Sequence, residues 1–595
     1  MLRTRRSPTQ SATGRGGASA TIDPPLTRDS RVPRIGELLL SKKVLGDAQL
    51  ADMLMAQGTS GIPLGQLLVN EGLVDERLVS EALARQYSLP VIDLRREVPA
   101  ADATIFVSES IARALRVLPV RRFHDADGVS LEVAVVDPLD DRVRSMLEGL
   151  PVSIVSLCVA TASDMTHAIN LTYRTLSGVS EHVAAFKSAS GAPVEVSSAS
   201  VAQQQTTNDA PVVQVVNKIV TQALRDRASD VHIEPLDDRL RIRYRIDGAL
   251  NEVLSLPLNM APALISRIKV LSDMNIVERR RPQDGQFQMT IDGNELDVRV
   301  STTSTIFGEK AVLRLLDKRK SLVKLSELGM SPEASARFRK LATAPFGMLI
   351  ASGPTGSGKT TTLYATLGEI NGAEYNVMTI EDPVEYVFPG INQIQINDQA
   401  DITFAAGLKS ILRQDPDIIL VGEMRDVETA RIAVQSALTG HLVLSSVHAV
   451  DSCSALYRLL DMGIEPFLIA SAMVGVVAQR LVRKICTSCK VKYTPKQETL
   501  DLYISLGGSP GKVDFFKGEG CPFCSNTGFH ERVGVYEVLG VTDDIRQLLI
   551  FGTTPKQLRD TAIEQGLRTL QDEAVALVTS DITTMSEVLR TVYAA

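Results

Sequence analysis

Tryptophan is absent from this 595-residue chain, and aromatic residues make up only 4% of it. Few rings are therefore available for stacking on nucleic-acid bases. The formal net charge of −7 likewise argues against nucleic acid as the main partner. No apolar run reaches the roughly 18–20 residues that cross a bilayer. The longest, Pro466 to Gln479, is rich in small residues and predicts a buried helix. Residues 1–32 carry Arg3, Arg5, Arg6 and Arg15 but no apolar segment of the secretory type. These absences predict a cytoplasmic protein that meets membranes only peripherally. Cysteine is scarce at six, and four of the six fall into Cys486-x-x-Cys489 and Cys521-x-x-Cys524. In a reducing compartment that pattern reads as a metal site rather than disulfides.

The length implies several cores. Residues 1–32 read as a disordered basic tail, and 176–210, rich in Ser, Ala, Gln and Thr, as a flexible linker. Between them, 33–175 reads as a small helical and α+β domain. It opens on an internal repeat over 34–86, with Arg34-Ile35-Gly36-Glu37-Leu38-Leu39 matched 29 residues later by Pro63-Leu64-Gly65-Gln66-Leu67-Leu68. Residues 211–320 read as a sheet packed on helices. Arg239 to Ile246 alternates strictly there, with Leu240, Ile242, Tyr244 and Ile246 on one face and Arg239, Arg241, Arg243 and Arg245 on the other. Leu296 to Val300 alternates similarly, with Asp297 and Arg299 on the polar side. The last domain spans 325–595, with the cysteine segment inserted at about 486–530.

The most specific motif is Gly353-Pro354-Thr355-Gly356-Ser357-Gly358-Lys359-Thr360-Thr361, a phosphate-binding P-loop. Apolar Met348 to Ala351 predicts a strand before it, and Thr361 to Leu367 a helix after it. Backbone N–H groups and the positive end of the helix would cradle phosphates. Lys359 would reach the β- and γ-phosphates of ATP, and Thr360 would offer its hydroxyl to Mg²⁺. Further on, Ile418 to Val421 is a β-branched run suited to a buried parallel strand, with Gly422-Glu423 at its C-terminal tip. Gly422 stands where an acid often backs the Mg²⁺ site, so Glu423 is the expected group that polarises the attacking water. Glu381, Asp382 and Glu385 follow another short apolar run and either complete the Mg²⁺ shell or form a solvated acidic turn. His441 and His448 bracket an apolar strand, and each is either functional or a satisfied structural residue.

Leu412-Arg413-Gln414-Asp415-Pro416-Asp417-Ile418-Ile419-Leu420-Val421-Gly422-Glu423-Met424-Arg425-Asp426 closely resembles the signature of the type II secretion and type IV pilus assembly ATPases. Ile380 to Glu385 resembles the acidic box of that family, and Thr439 to His448 its histidine box. The resemblance implies a multidomain α/β protein with a RecA-like P-loop ATPase domain after a PAS-like domain. It implies a homohexamer that hydrolyses ATP between these domains to power type IV pilus assembly or type II protein secretion. Its partners would be an inner-membrane platform protein and associated assembly proteins at the inner face of the cytoplasmic membrane. Glu423, Glu381 and His448 would act in catalysis, with Asp382, Glu385 and His441 around Mg²⁺. Arg243 and Arg245 would neutralise phosphates as the ring closes, and Arg279, Arg280 and Arg281 are further arginines of this kind. A pilus retraction motor, a DNA-handling P-loop ATPase and a nucleotide-binding scaffold without turnover are the alternatives.

Four thiolates from Cys486, Cys489, Cys521 and Cys524 would close a structural, tetrahedral Zn²⁺ site. The 31 residues between the pairs make the insert a subdomain of its own. The repeat at 34–86 resembles the N-terminal domain of the same family, which in some members binds cyclic di-GMP. The pattern departs at Pro63, where the first copy has Arg34, and at Lys43, where the second has Gly72. Cyclic di-GMP binding and plain docking to a membrane partner both stay open.

Overall fold

The computed structural model describes residues 20–23, 33–125, 128–190, 211–317 and 323–593. Most of the expected tail and residues 191–210 of the expected linker lie outside them. The chain divides into two compact units, with the boundary between Arg174 and Thr175.

In the first unit each repeat copy is a short helix followed by a longer one: Ile35–Ser41 and Asp47–Ser60, then Leu64–Asn70 and Glu76–Tyr87. The glycine shared by the copies is a packing requirement. A Cβ on Gly36 would lie 2.9 Å from Leu50 Cδ1, and one on Gly65 would lie 2.6 Å from Val79 Cγ1. Both copies then turn through a left-handed residue, Lys43 at φ 56° and Gly72 at φ 68°. Lysine thus keeps the turn at a steric cost that glycine avoids. The rest of the unit is a four-stranded sheet in the order Thr21–Ile22, Ile154–Val159, Gly128–Val135, Val117–Asp125. Its edge strand corrects the reading of 1–32 as uniformly disordered: Thr21 and Ile22 pair with Ile154 and Val155, and Ala20 is buried in the core.

The second unit begins earlier than composition suggested. Thr175–Gly178 is a 3-10 turn and Val179–Ser190 a helix, so the first part of the expected linker is structured. Val179, Val183 and Phe186 fall at helical spacing and pack on the core of this unit, a pattern that Ser and Ala between them mask. A six-stranded antiparallel sheet follows, in the order Ala249–Pro257, Arg239–Ile246, Asp230–Pro235, Gly308–Asp317, Asn294–Thr305, Gln283–Ile291. Helices Pro211–Arg225 and Ala261–Leu271 cover its apolar face, and Tyr244 Oη donates to Ile219 O at 2.6 Å.

The P-loop lies in a seven-stranded sheet ordered Asn392–Gln395, Val377–Glu381, Ile418–Val421, Leu442–Val447, Gly347–Ser352, Met473–Ile485, Phe529–Gly540. All neighbours are parallel except the last pair. Gly347–Ser352, Val377–Glu381, Ile418–Val421 and Leu442–Val447 are buried along their length, as strands of a parallel sheet covered on both faces are. The run Pro466 to Gln479 is not one helix. Helix stops at Ala472, and Met473–Ile485 is a strand, because Val476 and Val477 are β-branched and pair with Ile350 and Ala351 of the P-loop strand. Among the described residues, no helix is long and apolar enough to cross a membrane.

Candidate functional site

Parallel strands deliver their C-terminal ends to one edge of a sheet, where ligands of α/β proteins collect. Here that edge receives Gly353 to Gly358, Glu381, Glu423 and His448. Ser352 is level with Val447, so the P-loop and His448 leave the sheet together. The loop closes tightly onto the strand beside it. Gly353 adopts φ 150°, and a Cβ there would meet Gln479 O at 2.6 Å. Gly358 begins the helix Lys359–Ile370 from the left-handed region. Thr360 and Thr361 stand exposed on the first turn, while Ser357 is buried.

Lys359 Nζ donates to Gly353 O at 2.8 Å and Pro354 O at 3.2 Å, which folds the ammonium back over the loop. Burial holds its pKa below the usual lysine value, with the Glu423 carboxylate opposing that shift and the Arg480 charge adding to it.

Glu423 is gripped from two sides. His448 Nε2 lies 3.0 Å from Oε1, and Arg425 donates to Oε2 from Nε at 2.9 Å. The hydrogen bond to Glu423 also raises the Arg425 pKa. The backbone under this carboxylate is fixed: Ser446 Oγ donates to Gly422 O at 2.8 Å, and Met424 N donates to Ser446 O at 3.1 Å. Asp426 then caps helix Val427–Leu438 by accepting from Thr429 N at 2.8 Å, which ends the loop. Gly422 carries no acid, and a Cβ there would lie 3.4 Å from Glu381 Cα, at the limit of ordinary contact with the neighbouring strand.

The acidic box splits. Asp382 faces Arg425 at 3.8 Å, close to Glu423. Glu381 is 4% exposed and turned into the fold. Its Oε1 accepts from Thr379 Oγ1 at 2.6 Å and Gln393 Nε2 at 3.3 Å, and its Oε2 accepts from Tyr364 Oη. Both oxygens of the carboxylate expected to act in catalysis are thus hydrogen-bonded within the fold. Glu385 lies 3.5 Å from Arg299 Nη1, and Arg299 Nη2 donates to Val384 O at 3.2 Å. The six-stranded sheet therefore reaches the acidic box through Arg299.

Two further sets of expected residues have partners of their own. His441 precedes a six-residue strand whose other end carries His448, about 23 Å away at 3.3 Å per residue. It bonds Ser436 O through Nδ1 at 2.9 Å and sits opposite the P-loop edge, so it does not join the Mg²⁺ surroundings of its own chain. Arg243 and Arg245 are engaged on their own sheet. Arg243 bonds both oxygens of Glu234 at 2.8 Å, and Arg245 lies 3.5 Å from Asp230. Burial alone would raise the Glu234 pKa, but Arg243, Lys310 and Arg241 outweigh it and hold it at about 2. The exposed Arg279, Arg280 and Arg281 lie on a loop whose turn Glu278 closes by accepting from Arg280 N at 2.7 Å and Arg281 N at 3.2 Å. Tyr364, Arg299 and Arg480 are site residues that the motifs did not single out. Tyr364 left a trace four residues after Thr360 on the same helix face, and Arg299 one as the polar side of an alternating strand.

Away from this edge, Cys486, Cys489, Cys521 and Cys524 bring their sulfurs within 4.8 Å of one another. The Cys486–Cys521 and Cys489–Cys524 sulfurs are each 3.8 Å apart, and Cys521–Cys524 3.7 Å. Four thiolates at the usual Zn–S length of about 2.3 Å stand about 3.8 Å apart at the corners of a tetrahedron. Gly520 N and Gly528 N donate to Cys489 and Cys524 at 3.3 and 3.2 Å, as they would to thiolates. In the first unit, a cavity of about 1220 Å³ is lined by Arg34 and Gln57 of one repeat copy, Gln86 of the other, and Arg116, Asp140 and Arg142.

The family model described as type II/IV secretion system protein matches residues 205–590, and the MshEN domain model matches 87–179. The chain is 38% identical over 564 residues to the type IV pilus assembly ATPase PilB of Myxococcus xanthus, covering 93% of this chain and 98% of that one. It is 38% identical over 570 residues to the type II secretion system protein E of Xanthomonas campestris, covering 94% and 98%. It is 46% identical over 385 residues to the type II secretion system protein HxcR of Pseudomonas aeruginosa, covering 65% and 78%.

Proposed function

The chain belongs to the type II/IV secretion system protein family, a RecA-like ATPase with an N-terminal MshEN domain, and we propose on that premise how its site turns ATP hydrolysis into work on a pilus or secretion assembly. The observation that carries the reading is the Glu423 carboxylate, held between His448 and Arg425 beside the P-loop lysine. Lys359 and the loop amides bind the β- and γ-phosphates. Thr360 Oγ1, with Asp382, would hold Mg²⁺, which would supply charge neutralisation at the phosphate oxygens. Glu423 orients and polarises the attacking water, and His448 fixes the carboxylate and follows the γ-phosphate. Arg299 links the acidic box to the domain before it, so a change at the nucleotide reaches that domain through Glu385 and Val384.

The working assembly in this reading is a homohexamer on a platform protein of the inner membrane. The domain over 211–320 is PAS-like, and the ATPase domain over 325–595 carries a structural zinc at Cys486, Cys489, Cys521 and Cys524. Full-length relatives named for pilus assembly and secretion favour this output over retraction or DNA handling. The cavity of the first unit has the size and the arginines for cyclic di-GMP, with Arg116 and Arg142 on hand where Pro63 lacks a guanidinium. Titration calorimetry with cyclic di-GMP tests that part: wild-type protein binds and Arg34→Ala does not, whereas no heat from the wild type removes the ligand. The motor reading is tested by complementing a deletion strain. The wild-type gene restores pili or secretion, and restoration by Glu423→Gln would overturn the reading.

A further inference from the structure

We propose that Arg480 is a positioning residue of the ATPase site, one that strengthens phosphate binding through its buried charge and holds the loop carrying His448. The proposal rests on the reading of Lys359 as the phosphate ligand. Arg480 lies on the strand that pairs with the P-loop strand, where Ser352 is level with Ala478. Residues 479–481 therefore run past the end of the P-loop strand and form a wall behind the loop. Gln479 Nε2 donates to Ser357 O at 2.8 Å, Gln479 O fills the space a Cβ on Gly353 would need, and Leu481 packs under Gly358.

Arg480 is 4% exposed. Its Nη1 donates to Gln479 O at 3.0 Å and its Nη2 to Val450 O at 2.7 Å, while Nε has no acceptor among the described residues. Glu537 and Asp451 act on it through space but form no ion pair with it among the described residues, since their oxygens are bonded elsewhere. Glu537 accepts from Ser452 N at 2.9 Å and Leu570 N at 3.1 Å, and Asp451 is bonded to Arg559 and Ser454 N. A guanidinium buried without a paired carboxylate costs several kcal/mol. Burial lowers its pKa accordingly, and its field depresses Lys359 as well. Glu537 and Asp451 offset part of that burial, and an incoming triphosphate adds negative charge on the P-loop side.

The second role follows from Val450. His448 touches Glu423, and the loop after it is tied from both sides. Ser352 Oγ donates to Ala449 O at 3.2 Å from the end of the P-loop strand, and Arg480 donates to Val450 O from the wall. Asp451 then caps helix Ser452–Asp461, which fixes the far side. The P-loop and the His448 loop thus share two side-chain clamps.

Charge and clamp separate in two variants of the full-length protein. Arg480→Met removes both, whereas Arg480→Lys keeps the charge and loses the planar, two-armed donor. Equilibrium binding of ATP, ADP and AMP is measured beside kcat and KM for ATP. For Arg480→Met, ATP affinity falls roughly tenfold, ADP less and AMP least, as a charge acting on phosphates requires. For Arg480→Lys, ATP affinity stays within about threefold and kcat falls roughly tenfold, because the clamp on Val450 slackens. Ser352→Ala, which buries no new charge, gives a smaller loss of kcat at unchanged ATP affinity and serves if Arg480→Met does not fold. Equal weakening of all three nucleotides in Arg480→Met, or wild-type kcat in both Arg480→Lys and Ser352→Ala, overturns the proposal. Lys359→Ala tests the premise separately: if it still binds ATP, the phosphate assignment falls and the Arg480 proposal falls with it.

Discussion

Tyr364→Phe decides whether Glu381 is scaffold or catalyst. The substitution removes one oxygen and keeps the ring that packs edge-on against Phe388, with centroids 4.8 Å apart. Among the described residues, Tyr364 Oη is the only donor to Glu381 Oε2, since Thr379 and Gln393 both bond Oε1. The variant therefore leaves a buried carboxylate oxygen without a partner. Hydrogen bonds to charged groups contribute about 1.5–3 kcal/mol, and an orphaned buried acceptor sits at the upper end of that range. Tyr364 Oη also accepts from Glu385 N at 3.3 Å, so the acidic-box loop loses an anchor too. The expected cost is about 2 kcal/mol, roughly a 30-fold rise in the local opening equilibrium. Amide hydrogen exchange across Val377–Glu381 reads this directly and does not require the whole chain to unfold in one step. Glu381→Gln should cost a similar amount, and the double variant less than the sum, with a coupling of about 1–2 kcal/mol. Additive effects together with a Glu381→Gln protein of native stability but no ATP turnover would refute the scaffold assignment.

The cysteine cluster should hold one zinc per chain by metal analysis, and Cys486→Ser should release it and speed exchange in the two-stranded sheet of Lys490–Tyr493 and Phe515–Gly518; metal-free wild-type protein with that sheet stable would contradict the site. Glu587 is 1% exposed, and although burial pushes its pKa up, Arg590 and Arg483 hold it at about 2. A depressed carboxylate stabilises the fold fully above its ordinary pKa of about 4.3 and loses that contribution as pH falls toward 2. Glu587→Gln should therefore unfold earlier than wild type at pH 7, with the gap closing between about pH 4.5 and 2; a gap independent of pH would remove the ion-pair explanation. Lys43→Gly should stabilise the first unit by a few tenths to about 1 kcal/mol by relieving a left-handed lysine, and a net loss in denaturant midpoint would show that the lysine side chain contributes more than its backbone costs.

The nucleotide edge was legible because its signals are local. The P-loop spacing and the unbroken Met348 to Ala351 and Ile418 to Val421 runs specify strands whose ends must meet, whatever surrounds them. What needed the fold were side-chain directions and long-range neighbours. Glu381 and Asp382 are adjacent in sequence, yet one turns into the fold toward Tyr364 and the other faces Arg425. His441 and His448 belong to one box in sequence but lie at opposite ends of a strand. Arg299 was visible as the polar side of an alternating strand, but its contact with Glu385 spans 86 positions in the chain. Pro466 to Gln479 misled because a continuous apolar run has no period, and its small residues favoured helix. Residues 176–190 misled because Ser and Ala diluted a three-residue apolar stripe.

ATP binding and ATP turnover by Glu423→Gln, measured on the same purified full-length protein, test the central claim most directly. A water-orienting carboxylate between His448 and Arg425 predicts ATP affinity within about threefold of wild type and a kcat at least 100-fold lower, on the order of the loss when a preorganised catalytic group is removed. Turnover within a few-fold of wild type, at unchanged affinity, would contradict it.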